Sequence, residues 1–162
     1  MSTIGTLVYV FKKGKILLGS KKYGKAKGKL NGYGGKVEAT DKSMEAAALR
    51  ELKEETGLIV GKIELHGVLN MKWEEEDVKI FLFRAYNIEN EPKESNEMTV
   101  EWFDIKNIPK ERMWESDRYW FDLVLQDRKF VANLQFDKSD SDLLKKMMIE
   151  FVDSSKELLE QT

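Results

Sequence analysis

The stretch RELKEETGL, Arg50–Leu58, places three glutamates within five positions. On a helix, Glu51, Glu54 and Glu55 fall at i, i+3 and i+4, nearly on one face. Like charges so spaced oppose one another by about 0.2–0.5 kcal/mol per pair. The surroundings do predict a helix, from about Lys42 to Thr56. Met44, Ala47, Ala48, Leu49 and Leu52 form its apolar face, Asp41 or Ser43 suits the N-cap, and Gly57 sits where a left-handed C-cap belongs. Arg50, Lys53 and Lys62 lie nearby but build no regular Glu-to-Lys ladder, and acidic charge in the last turns opposes the helix dipole. Two readings follow. One is a solvated helix face, the ordinary role of a charge run. The other is a group of carboxylates that a hard divalent cation such as Mg²⁺, with Mn²⁺ as the alternative, would hold together.

The preceding segment bears on that choice. SKKYGKAKGKLNGYGGK, Ser20–Lys36, carries five glycines and six lysines and reads as a loop. Its glycines let backbone approach a ligand. Lys21, Lys22, Lys25, Lys27, Lys29 and Lys36 could balance the charge of a polyphosphate. Any one of these lysines reads equally as exposed loop, so the combination with the acidic helix is what counts.

Composition narrows the classes. The 162 residues suit a single domain with a real core. With no cysteine, disulfides, thiolate zinc sites and cysteine nucleophiles are excluded, and the single histidine, His66, excludes a histidine metal cluster. A net charge of −2 gives no overall attraction to nucleic acid or to an anionic membrane. No apolar run approaches the roughly 20 residues of a membrane span, and the start lacks a signal-peptide layout. We therefore expect a cytoplasmic, monomeric protein with a small-molecule partner.

Elsewhere, Thr6–Phe11 and Lys15–Gly19 flank a turn and read as a hairpin. IVGKIELHGVLNMKW and VKIFLFRAYNI read as strands, VEWFDI as a shorter one, and KFVANLQF as another. A second helix is expected over Arg118–Leu125. DLLKKMMIEFVDSSKELLEQT, at the C-terminus, is helical by propensity, with an edge strand as the alternative. Strands mixed with two or three helices point to an α+β domain.

At this point the chain resembles a known family. Gly35, REL at Arg50–Leu52, EE at Glu54–Glu55 and GL at Gly57–Leu58 are similar to the Nudix box. In that family this loop–helix–loop binds Mg²⁺ and hydrolyses nucleoside diphosphates linked to another group. The chain further resembles the oxidised purine nucleoside triphosphatases, the 8-oxo-dGTP diphosphatase subfamily. TLVYV, LLGSKK, LNGYGGKV, ESNEM, Trp102–Phe103, MWESDRYWF and LVLQDRKF follow that subfamily's order from about Gly5 to Phe136.

The resemblance implies an α/β/α sandwich with a mixed sheet, the box helix carrying the metals. Glu51, Glu54 and Glu55 would be metal ligands or the water-activating base, Glu97 a further carboxylate, and the Gly34 carbonyl a backbone ligand. Thr6, Lys21, Asn31, Tyr33, Gly34, Gly35, Lys36, Trp114, Ser116 and Asp117 match nucleotide-contacting positions. Their chemistry is suitable, since Asn31 offers a donor and acceptors, Trp114 a stacking plane, and Asp117 a purine-reading carboxylate. For Trp120, core packing is the expectation.

Three departures stand out. Gly35 to Arg50 spans fifteen positions where the box spans fourteen, so Lys42 falls where the first box glutamate belongs. Asp41 is then the expected partner of Arg50. Ser116 replaces the first of two base-reading aspartates, which leaves open the choice between oxidised guanine and oxidised adenine. Lys25 replaces a pocket aromatic, and Met71 and Trp73 take other apolar pocket positions, so ordinary nucleotides remain candidates. The function implied is Mg²⁺-dependent hydrolysis of oxidised purine nucleoside triphosphates (8-oxo-dGTP or 2-oxo-dATP) to monophosphate and pyrophosphate, serving nucleotide-pool sanitation. The alternatives are another Nudix substrate (an ordinary dNTP, ADP-ribose, a dinucleoside polyphosphate or a capped RNA) or a silent nucleotide-binding module.

Overall fold

A computed structural model describes residues 2–138 and 143–161. The first strands show how the sheet is built. Strand β1 (Ser2–Lys12) turns at Lys13 and Gly14, both at positive φ, into antiparallel β2 (Lys15–Ser20), as the hairpin pattern predicts. The expected loop over Ser20–Lys36 is instead partly strand: β3 (Leu30–Asn31) pairs with β2, and β4 (Tyr33–Lys36) runs antiparallel to β1. Gly34 allows that pairing, since a Cβ there would lie 1.8 Å from the Thr6 carbonyl oxygen.

After helix α1 (Met44–Thr56), β5 (Val60–Lys72) and β6 (Asp77–Ile88) form a long antiparallel pair, and β6 runs parallel to β1. Strand β7 (Glu101–Asp104) pairs with β2, and β8 (Lys129–Phe136) runs parallel to β5. At the C-terminus the edge-strand alternative holds for the longest stretch of the segment, in place of the helix that propensity favours. Leu144–Val152 is strand β9, antiparallel to β8, and only Ser155–Leu159 is helical, as α3. Helix formers such as Lys145, Met147 and Met148 yield to the ladder with β8 and to the packing of Leu144, Met147 and Val152 against the cores. The segment's Asp142 and Thr162 lie outside the described residues. The resulting order is β3-β2-β1-β6-β5-β8-β9, with β4 joining β1 and β7 joining β2.

Alternation along the strands gives the sheet two apolar faces. Val8, Val10, Phe81, Phe83 and Val131 pack with Ala48 and Leu52 of α1 and Leu158 of α3. Tyr9, Phe11, Leu82, Phe130 and Ala132 pack on the other side with Trp120, Phe121 and Val124. An α/β/α sandwich with a mixed sheet results. The helix expected over Arg118–Leu125 is a 3₁₀ turn (Ser116–Tyr119) followed by one turn of helix, α2 (Phe121–Val124). His66 is buried against Phe130, its Nε2 3.0 Å from the Leu123 carbonyl, and burial lowers its pKa. It is a core residue. No helix among the described residues is long and apolar enough to cross a membrane.

Candidate active site

Helix α1 begins at Met44, two residues later than the expected start at Lys42. Ser43 is the N-cap, its Oγ accepting from the Ala46 N–H at 3.0 Å, and Gly57 closes the helix at φ +72°. Leu49, expected on the apolar face, is exposed; Ala47, Ala48 and Leu52 alone are fully covered. Asp41, not needed as the cap, pairs with Arg50 instead. Its carboxylate takes two hydrogen bonds from the Arg50 guanidinium, Nε to Oδ1 at 2.8 Å and Nη2 to Oδ2 at 2.9 Å. It also accepts from the Glu38 N–H at 2.8 Å. The Arg50 bonds, then the Glu38 N–H, hold the Asp41 carboxyl at about 2. Lys42 is exposed and takes no part.

Arg50 also offsets the repulsion among the glutamates. Its Nη1 donates to Glu51 at 3.0 Å and reaches Glu54 at 3.4 Å, the i,i+4 neighbour. One guanidinium therefore ties the loop before α1 to two of the three box glutamates. Removing its anchor should matter twice. Asp41→Ala is expected to lower both the melting temperature and turnover, measured by calorimetry and by product release. A variant unchanged in both would contradict this role for the pair.

The three glutamates differ sharply in environment. Glu54 is exposed. Glu51 lies against Gly35, where a Cβ would come within 2.6 Å of its carboxylate oxygen, so any larger residue there would displace that carboxylate. Glu55 is 6% exposed and accepts from the Gly34 N–H at 2.8 Å. Burial, with the charges of Glu51 and Glu97 adding to it, pushes its carboxyl up to about 7; the Gly34 N–H and Lys21 pull the other way. Lys21 and Glu97 belong to segments stitched together, by a Lys22 N–H to Glu97 carbonyl bond of 2.9 Å and a bridge between Lys21 and Met98. The donors available here, carboxylates and the Gly34 carbonyl, are hard oxygens of the kind a divalent cation takes. A buried carboxylate crowded by two others is a site that added positive charge would relieve. As Arg50 and Gly34 hold them, no three acidic or histidine side chains among the described residues stand at ligand spacing.

Beside the glutamates lies a cleft of about 290 Å³, lined by Thr6, Asn31, Gly34, Gly35, Lys36 and Asp117 together with Leu7, Leu69, Met71, Ile80 and Trp120. Six of the nucleotide-contacting positions inferred from sequence thus share one cavity. Asn31 Oδ1 already accepts from the Tyr9 hydroxyl at 2.7 Å and the Gly32 N–H at 2.8 Å, so Asn31 brings the Nδ2 donor to the cleft. Thr6 Oγ1 and Trp120 Nε1 are buried without a hydrogen-bond partner. Orphaned polar atoms in a cavity wall are costly unless a ligand or water meets them. Trp120 is in the core, as expected, yet it also lines the cleft, which the sequence reading missed; its burial hid its indole N–H.

The other expected positions lie differently. The Tyr33 side chain is wholly buried under α1, its hydroxyl donating to the Thr99 carbonyl at 2.9 Å, so only its backbone borders the site. Lys21 is exposed, its charge reaching Glu55 rather than the cleft wall. Trp114 is half-buried outside the cleft lining, with Lys29 Nζ 5.4 Å over its ring, and Ser116 is half-buried beside Asp117. Trp73 stacks on Phe136 with centroids 4.6 Å apart and does not line this cleft, whereas Met71 does.

The sandwich sets an acidic helix end against a glycine strand beside a polar-lined cleft, the arrangement that the resemblance to the Nudix box implies. Comparison with known proteins agrees. The NUDIX domain model matches residues 1–124. The chain is 46% identical over 143 residues to the oxidized purine nucleoside triphosphate hydrolase of Danio rerio, covering 86% of this chain and 90% of that protein. It is 37% identical over 142 residues to the protein of the same name from Mus musculus, with the same coverage. The mutator MutT protein of Bacillus halodurans superposes with a TM-score of 0.78 at 27% identity, over 91% of this chain and 97% of that one. A MutT hydrolase of Burkholderia pseudomallei shares the fold, with a TM-score of 0.67 at 23% identity, over 76% of this chain and 98% of that one. The chain belongs to the Nudix family of hydrolases.

Proposed function

We propose that the protein hydrolyses oxidised purine nucleoside triphosphates, using Mg²⁺, to the monophosphate and pyrophosphate. The observation that carries this reading is the cleft, which brings Asn31, Asp117, Thr6 and Trp120 together and shares Gly34 and Gly35 with Glu55 and Glu51. The names of the Danio and Mus relatives support the substrate class. Glu51, Glu54, Glu55, Glu97 and the Gly34 carbonyl are the groups that would hold the cation. When bound, the cation would neutralise phosphate charge and acidify water.

The chain's own part is positioning. Thr6, Asn31, Asp117 and Trp120 hold the base by its polar edge and exclude water from the apolar wall formed by Leu69, Met71 and Ile80. Lys36, and Lys21 near Glu55, balance the polyphosphate. A box glutamate accepts the proton of the attacking water as its oxygen bonds to phosphorus. The phosphoanhydride P–O bond then breaks, and pyrophosphate leaves. No covalent intermediate is needed, since the chain has no cysteine and His66 is buried in the core.

Chelation tests the cation directly. EDTA should abolish pyrophosphate release and excess Mg²⁺ should restore it; turnover indifferent to chelation would contradict the reading.

A further inference from the structure

Strand β9 ends the sheet, and no described element pairs with its outer edge. Its exposed side chains are uncommonly apolar for an edge: Met148 is 60% exposed, and Ile149 and Phe151 are also open. Natural edges are blunted because an open ladder of N–H and C=O groups invites another strand. Here the pairing to β8 is regular from Lys146 to Val152, with a bulge at the Lys145 end. A regular template of that length is left facing solvent.

We propose that the β9 edge pairs antiparallel with β9 of a second copy of this chain, about a two-fold axis at Met148. Symmetry restricts the registers. An antiparallel pair of identical edge strands is related by a two-fold perpendicular to the sheet, which keeps each side chain on its own face. The axis must therefore pass beside a residue rather than between two, because directly opposed residues share a face. With the axis at Met148, Lys146 opposes Glu150 of the second copy, Glu150 opposes its Lys146, and Met147 opposes its Ile149. Charge meets opposite charge twice and apolar meets apolar.

The neighbouring registers fail. An axis at Met147 sets Lys146 against Met148 and Glu150 against Leu144. An axis at Ile149 sets Glu150 against Met148 and Lys146 against Val152. Among the described residues, neither Lys146 nor Glu150 has an ion-pair partner within the chain, whereas Lys145 is held by Asp137 at 3.5 Å. Of the three charged side chains on β9, the dimer uses the two that have no ion pair among the described residues. The sequence leaves the oligomeric state open, with a monomer as the expectation, and the proposed dimer is the alternative to it.

The full-length protein tests the proposal by sedimentation over a range of concentrations. A reversible dimer is expected. Lys146→Glu places like charges opposite each other at both symmetric positions and should weaken self-association on the order of tenfold or more. The swapped variant Lys146→Glu with Glu150→Lys should restore it. Both positions are exposed, and circular dichroism checks that each variant keeps its fold. Because the chain has no cysteine, Met148→Cys gives a second readout. Opposed Cα atoms in such a pair lie within disulfide reach, so oxidised glutathione should convert Met148→Cys to a covalent dimer far faster than Lys146→Cys. A monomer at every concentration overturns the proposal. So does a dimer that ignores the charge series, or cross-linking at the two cysteine positions with equal speed.

Discussion

Glu55→Gln is expected to lower turnover by about a thousandfold, the scale of losing a proton acceptor or a charge-stabilising group at a reacting phosphate. The same change should stabilise the metal-free protein. Glu55 is buried and its carboxyl is raised from 4.5 to about 7, so the folded state prefers the protonated, neutral form. Its contribution to stability is fully present below about pH 4.5 and is lost as pH rises through about 7. Moving a carboxyl over that range corresponds to about 3 kcal/mol, which sets the upper figure for the gain at pH 8. Glutamine keeps an oxygen to accept the Gly34 N–H. Melts in EDTA should therefore show Glu55→Gln above the parent at pH 8, with a gap below about 1 kcal/mol at pH 5. A dead but more stable variant separates the site from the scaffold. Near-native turnover under saturating Mg²⁺ would remove Glu55 from the site.

The second large effect concerns the base. Asp117→Asn exchanges one acceptor oxygen for a donor in the cleft wall. It should reduce kcat/KM for an oxidised purine nucleotide by about a hundredfold, the cost of mispairing a charged hydrogen-bonding group. For the matching unoxidised nucleotide the loss should be smaller, because oxidation changes the donor and acceptor pattern of the purine edge that Asp117 would read. The ratio of the two kcat/KM values is the measurement. Equal losses on both would show that Asp117 supports the pocket without reading the base. Asn31, anchored through Oδ1 by Tyr9 and Gly32, would be the other half of this reader.

How much of this was legible in the sequence differs by residue. The box helix was, since its cap, its C-terminal glycine and its glutamate spacing are local signals. The Asp41–Arg50 pair was also legible, because displacing one glutamate position left Arg50 needing a carboxylate and Asp41 was within reach. The Arg50–Glu54 contact has ordinary i,i+4 spacing, but the Arg50–Glu51 bond was not legible, since adjacent side chains do not face each other on a helix. Strand β9 defeated propensity because its reason lies in β8, distant until the sheet forms. Tyr33 and Trp120 were misweighted in opposite directions. The Tyr33 side chain turns into the core although its backbone borders the site. Trp120 is buried yet brings an unpartnered N–H to the cleft region. Side-chain direction in a short strand such as β4, or at a helix start such as Trp120, is a tertiary outcome that single-sequence patterning does not contain.

The decisive comparison is pyrophosphate release with Mg²⁺ across 8-oxo-dGTP, 2-oxo-dATP, dGTP and dATP. At least a hundredfold preference for an oxidised base is expected, worth about 2.7 kcal/mol of transition-state discrimination. Equal rates on all four, or no turnover on any, would refute oxidised-purine hydrolysis as the function of this cleft.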